Sequence, residues 1–157
     1  MNAKLLYGPP AATLTRLLGH TEFASAAQIV GHLDAALATK RLPGTLHSIA
    51  EIVAHMLSNM ESNLDMIAGR EPQQRGDWPA VSEAAWPALT LEFLDVNQQL
   101  LAYAQQPELL ERVIFAPTDS EPGWTVGYKL AVKIGVHNAY HFGQIVTLRQ
   151  QLGAWPG

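Results

Sequence analysis

Between residues 126 and 152 the apolar side chains Val126, Leu130, Ile134, Ile145, Leu148 and Leu152 recur every three or four positions. That is the period of an α-helix, and a strand would alternate every second residue. A helix with one continuous apolar stripe must bury it against other elements, so this segment predicts a packed, helical interior. The same stripe also carries His137 and His141, four residues apart near its centre. A polar group buried without a partner costs roughly 1–3 kcal/mol. Two adjacent imidazoles on an apolar face therefore call for a shared partner, and a divalent metal suits paired neutral imidazoles well.

Three further amphipathic stretches precede this one, separated by loops rich in Pro and Gly. The first, over residues 11–38, reads as helix with a break near Gly19-His20-Thr21. Beyond the break Phe23, Ala27, Val30, Leu33 and Leu37 keep helical spacing. The second starts at a capping box, Ser48-Ile49-Ala50-Glu51, in which the Ser caps and the Glu reaches back. Its stripe is Ile49, Val53, Met56, Met60, Leu64 and Ile67, closed by Gly69 and Pro72. Ser82 and Glu83 open the third, with Trp86, Leu89, Phe93, Val96, Leu100 and Tyr103 on one side. Thr125 serves as N-cap of the last helix, and Gly153 with Pro156 stops it. No run alternates convincingly as a strand. The expected fold is all-α, a single antiparallel four-helix-bundle domain over residues 1–157, a class that places metal and cofactor sites between facing helices.

Composition narrows the function. The chain has no cysteine, so disulfides, thiolate ligands and a cysteine nucleophile are excluded, and any metal must be held by nitrogen and oxygen. A formal charge of −4 with ten scattered Lys and Arg leaves no basic stripe, so nucleic acid is not an expected partner. No apolar run is long enough to span a bilayer. The N-terminal stretch is too short and broken to read as a signal peptide, which makes the cytoplasm the default location.

Catalytic zinc usually takes three protein ligands, so a third histidine is needed. His55 lies inside the second helix, beside Ile52, Asn59 and Met66, at the border of the apolar stripe. Periodicity alone makes it equally a ligand candidate or a surface residue. His47, just before Ser48, reads as packing against the first helical turn; His20 falls at the suspected break, and His32 lies opposite its stripe. No Glu stands between His137 and His141, so this is not the metalloprotease arrangement whose Glu is a general base. Glu51, Glu61 and Asp65 share the His55 helix, but none has a spacing that marks it as a base. Asn59, Tyr140 and Gln144 are candidates to orient metal ligands, although packing explains each equally well. Trp78, Trp86 and Trp124 read as pocket-lining or core aromatics.

Several of these residues occur together in a recognisable order. Pro43-Gly44, His47-Ser48-Ile49, Ile52 and His55 precede His137-Asn138-Ala139-Tyr140-His141-Phe142-Gly143-Gln144 and Leu148-Arg149. This pattern resembles the DinB/YfiT-like family of metalloenzymes, and Asp77-Trp78-Pro79 and Leu6-Tyr7-Gly8-Pro9 resemble one branch of it. The likeness covers nearly the whole chain, residues 14–42 being the poorest match. It implies an up-down-down-up bundle, often a homodimer, with a divalent ion (zinc or nickel) on His55, His137 and His141. It also implies a small-molecule substrate. Family members with an assigned reaction include S-transferases that use low-molecular-weight thiols such as bacillithiol or mycothiol, and a thiol-dependent isomerase. The expectation is a metal-dependent transferase or hydrolase in which the ion activates a thiol or water. The competing expectation is a non-catalytic metal- or ligand-binding bundle, stress-related or structural.

Overall fold

The capping box at Ser48 forms as its sequence predicts. The Ser48 hydroxyl accepts the Glu51 N–H at 3.2 Å, and the Glu51 carboxylate accepts the Ser48 N–H at 2.8 Å. These are the two orphan donors that a helix start must satisfy. In a computed structural model of the chain, which describes residues 4–19, 23–73 and 76–156, the elements run in the following order. Strand β1 (Leu5–Leu6) precedes α1 (Ala11–Gly19), α2 (Ala26–Val30), α3 (Ala35–Thr39) and α4 (Ile49–Ile67). A 3-10 turn (Glu83–Ala85) then leads into α5 (Trp86–Ala104) and α6 (Pro107–Glu111). Strands β2 (Val113–Phe115) and β3 (Gly123–Thr125) follow, then α7 (Val126–Tyr128), a π-helical segment (Lys129–Val136) and α8 (His137–Gln151).

The core lies between α1, α4, α5 and the last helical run. The α4 stripe is buried throughout, with Ile49, Val53, Met56 and Met60 fully inaccessible. It packs on α5 through Phe93, Val96 and Leu100, and on α8 through Phe142 and Ile145. Thr125 caps the last run as expected, its hydroxyl accepting the Tyr128 N–H at 3.3 Å. Gly69 and Gly153 end α4 and α8 with positive φ, +73° and +66°, the left-handed conformation glycine adopts without strain. Among the described residues no helix is long and apolar enough to cross a membrane.

Three expectations need correction. The stretch over residues 11–38 is three short helices, and its core residues are Leu14, Leu18, Ala26, Ile29, Val30, Leu33 and Ala38. Phe23 is 82% exposed and Ala27 is exposed. Phe23 lies before the Ser25 cap of α2 and outside any helix; Gly31 and His32 turn the chain after α2, His32 with a φ of +53°, and Asp34 caps a new helix by accepting from the Ala36 and Leu37 N–H groups. His32 is exposed as expected; His20 lies outside the described residues. The third helix opens differently too: Ser82 makes no side-chain cap bond, and Pro87 starts α5 in the first turn, where a missing N–H costs nothing. Finally, the chain carries a small sheet of order β1-β3-β2. Its strands have two or three residues each, too few for alternation to register in a sequence.

Arg149 binds the last helix to α2. The residue is 2% exposed. It donates to the carbonyls of Gln28, Ile29 and Gly31 at 3.1, 2.7 and 3.0 Å, and twice to that of Ala154. A cation against the last carbonyls of α2 satisfies orphan acceptors and complements the negative end of that helix.

Candidate metal centre

The wheel places Val126, Leu130, Ile134, His137 and His141 on one face, but the helix that carries them is not α throughout. Over Lys129–Val136 it is π-helical, which is wound more widely than an α-helix. The buried line becomes Val126, Leu130, Ile134, Asn138, Phe142, Ile145 and Arg149, with Lys129 and His141 buried beside it, four successive steps of four from 126 to 142. His137 and His141 are thereby turned off the deepest line of the core and towards the flank of α4. His137 is half-buried and His141 is 5% exposed.

On that flank stands His55, whose side chain is 13% exposed. Its Nε2 lies 3.0 Å from Nε2 of His137. The ring centroids of His55, His137 and His141 are 4.5–5.0 Å apart, and one nitrogen from each falls within 4.8 Å of the others. The border position that left His55 ambiguous on the wheel is what allows it to reach across to α8.

The outer nitrogens explain the tautomers. Nδ1 of His55 faces the Asp77 carbonyl at 2.7 Å and the Asp77 carboxylate at 3.1 Å. With two acceptors before it, Nδ1 carries the proton, leaving a lone pair on Nε2. Nδ1 of His141 lies 2.7 Å from Oε1 of Gln144, whose amide nitrogen donates to the Tyr140 hydroxyl at 3.2 Å. That assignment puts a proton on His141 Nδ1 as well. An acceptor behind the non-coordinating nitrogen is the usual support of a metal-ligating histidine. His137 Nδ1 is buried with no hydrogen-bond partner. The Asn138 amide donates to Met60 Sδ at 3.2 Å.

Electrostatics keeps the two α8 histidines neutral. Burial pushes the His137 imidazole below its ordinary value of 6.5 and the neighbouring His55 adds to the effect, while Asn138 and Asp77 offset part of it. Burial lowers His141 in the same way; the bond to Gln144 offsets part of it, and His137, His55 and His47 lower it further. Nε2 of His55 and Nε2 of His137 stand at hydrogen-bond distance, where either a shared proton or a cation satisfies both, and with His141 beside them the donor set fits a cation. A tetrahedral ion with bonds of about 2.1 Å would space its ligand nitrogens about 3.4 Å apart, within the range the three rings already span. Nitrogen-only ligation without thiolate or carboxylate suits zinc or nickel better than calcium or magnesium.

Other residues meet this centre that periodicity alone underrates. Trp78 is stacked parallel to His55 at 4.0 Å and to His47 at 3.7 Å, and its edge faces His141 at 6.0 Å. His47 is therefore not merely packed on a helical turn. It forms, with Trp78, His141, Tyr140 and Gln144, one wall of an open cleft of about 940 Å³. Asp77 supports His55 from a loop, where helical periodicity carries no signal. Asn59 does not join the site; its side-chain and backbone oxygens accept from Asn63. Trp86 belongs to the core, donating to the Leu33 carbonyl. Trp124 packs under Lys129 and Lys133 beside Phe115. Glu51 is held by Arg41 and Asp65 by Arg70.

A family model described as the DinB superfamily matches residues 18–145, a span that contains all three histidines. No curated protein and no solved structure matches the chain.

Proposed function

From a chain that belongs to the DinB superfamily and brings three imidazoles together, we propose a metal-dependent enzyme acting on a small molecule, a thiol S-transferase or a hydrolase. His55, His137 and His141 hold one divalent ion, zinc or nickel. When bound, such an ion lowers the pKa of a water or thiol beside it towards neutrality, which supplies the nucleophile that a chain without cysteine lacks. The side chains do the rest. Asp77 and Gln144 fix the ring orientations of His55 and His141 from behind. Tyr140, 65% exposed at the cleft, accepts from Gln144 and so keeps its own O–H free to donate to a bound molecule. Ile52 and Leu148 make part of the cleft apolar.

The observation that carries this reading is the convergence of three imidazole nitrogens beside a cleft that His141 itself lines. Elemental analysis of purified protein should find about one zinc or nickel per chain, and His137→Ala or His141→Ala should remove it. Unchanged metal content in either variant would defeat the assignment. A screen of small thiols against electrophiles, with and without chelator, then tests the reaction. The second reading, a structural ion, has one observation in its favour: the ligands tie α4 to α8. It requires that chelation abolish cooperative unfolding, whereas a catalytic ion can be removed from a folded protein.

A further inference from the structure

Apart from the histidines, the π-helical segment carries a second cluster of titratable groups at its start. Lys129 is only 5% exposed, although lysine is almost never buried unless it is paired. Its Nζ stands 5.2 Å from the centre of the Phe115 ring and 5.4 Å from that of Trp124. Lys133, four residues on, sets its own Nζ 4.8 Å over the same Trp124 ring. Among the described residues no carboxylate pairs with either lysine. The Lys129 amine still reaches solvent, since it is not one of the enclosed polar atoms that lack a partner. Two of its neighbours, Phe115 and Lys133, are themselves exposed.

An ammonium withdrawn from water without an anion beside it gives way to the neutral amine. The pull of the ring faces on the charged form is weaker than the hydration lost, and Lys133 opposes that form by repulsion. Burial first and Lys133 second hold the Lys129 amine below its ordinary 10.5. Lysines in apolar surroundings or beside another cation become nucleophiles in this way, and π-helical turns are frequent at functional sites. We propose that Lys129 is a nucleophilic lysine that forms an imine with a small anionic aldehyde, whose carboxylate pairs with Lys133. The neutral amine attacks the carbonyl carbon; the C–N bond forms as the carbonyl π pair passes to oxygen, which takes one amine proton. The carbinolamine then loses that hydroxyl with the remaining amine proton as water, leaving C=N. The step is redox-neutral.

The chain has four lysines, so mass mapping of its peptides follows each of them in one sample of the full-length protein. Limiting glyoxylate at neutral pH, with cyanoborohydride to reduce C=N to a stable secondary amine, should label Lys129 at least about tenfold faster than the exposed Lys40. Glycolaldehyde is of similar size and uncharged. The ratio of Lys129 to Lys40 labelling should be about fivefold lower with it, the most that an exposed ion pair supplies. Lys133→Gln, a change at an exposed position, should bring the ratios for the two aldehydes together. Labelling of Lys129 no faster than that of Lys40 overturns the proposal. So does a ratio that is the same for both aldehydes in the unaltered chain, or a preference for glyoxylate that survives in Lys133→Gln.

Discussion

The glutamine amide behind the His141 imidazole does two things that a hydrocarbon of its size cannot. The Gln144 oxygen accepts the His141 Nδ1 proton and so fixes which nitrogen is free, and its own N–H is spent on Tyr140. Loss of such a supporting partner typically costs tenfold to a hundredfold in metal affinity. Gln144→Leu should weaken zinc binding by about that factor in competition against a chromophoric chelator, while Gln144→Glu, which keeps the acceptor, should hold the affinity near that of the unaltered protein. Equal affinity in all three would show that the bond orients nothing. At this scale the sequence is legible where chemistry and periodicity disagree. His137 and His141 stand out because an apolar stripe should not contain them. His55 does not, since a border position suits a ligand and a surface residue alike. Asp77 and Trp78 reach the site from a loop, and a loop imposes no period against which they could look out of place.

Among the elements, α4 and the helical run over residues 126–151 were legible because each repeats its apolar residues over several turns and begins on a residue with a clear capping role. The region of α1, α2 and α3 was not, since five-residue helices are too short to establish a period. The π-helical segment had no signature either: the same residues satisfy a helical wheel, and only the backbone shows the wider winding that swings His137 and His141 towards α4. Arg149 was visible as part of a family pattern, but its job belongs to the element it caps. It fixes the C-terminal end of α2 and the turn after α8 with one guanidinium that donates to carbonyls on both sides and lies over the Trp155 ring at 5.5 Å. Removing it leaves four carbonyls short of a donor, that of Ile29 in a buried bond and the others in part-buried ones. Arg149→Met should destabilise the protein by about 2–4 kcal/mol in urea unfolding. Arg149→Lys should recover little of this, because an ammonium has three donors on a point and cannot span both sets of carbonyls. Full stability in the Met variant would mean that the carbonyls find water at no cost.

For the molecule as a whole, these local devices add up to a defined dependence of stability on pH. His137 and His141 have folded-state pKa values below their ordinary 6.5. Near and below pH 6.5 the unfolded chain therefore binds more protons than the folded one, and stability falls as pH falls through that range. Glu51 acts in the same direction lower down. Its bond from Arg41 holds its carboxyl at about 2, against an ordinary 4.5, so stability present above pH 4.5 is lost as the pH drops towards 2. That second loss should be about 2 kcal/mol, less than the full shift implies, because Arg41 is 60% exposed and screened by solvent. Two descending limbs should appear in unfolding free energy measured from pH 8 to pH 2, and each has its own control. Glu51→Gln should flatten the lower limb alone. Saturating zinc should raise the plateau above pH 6.5 by the free energy of binding the folded state and steepen the upper limb, because the ion competes with protons for the same three nitrogens. An upper limb that zinc leaves unchanged would mean that those nitrogens do not bind the ion.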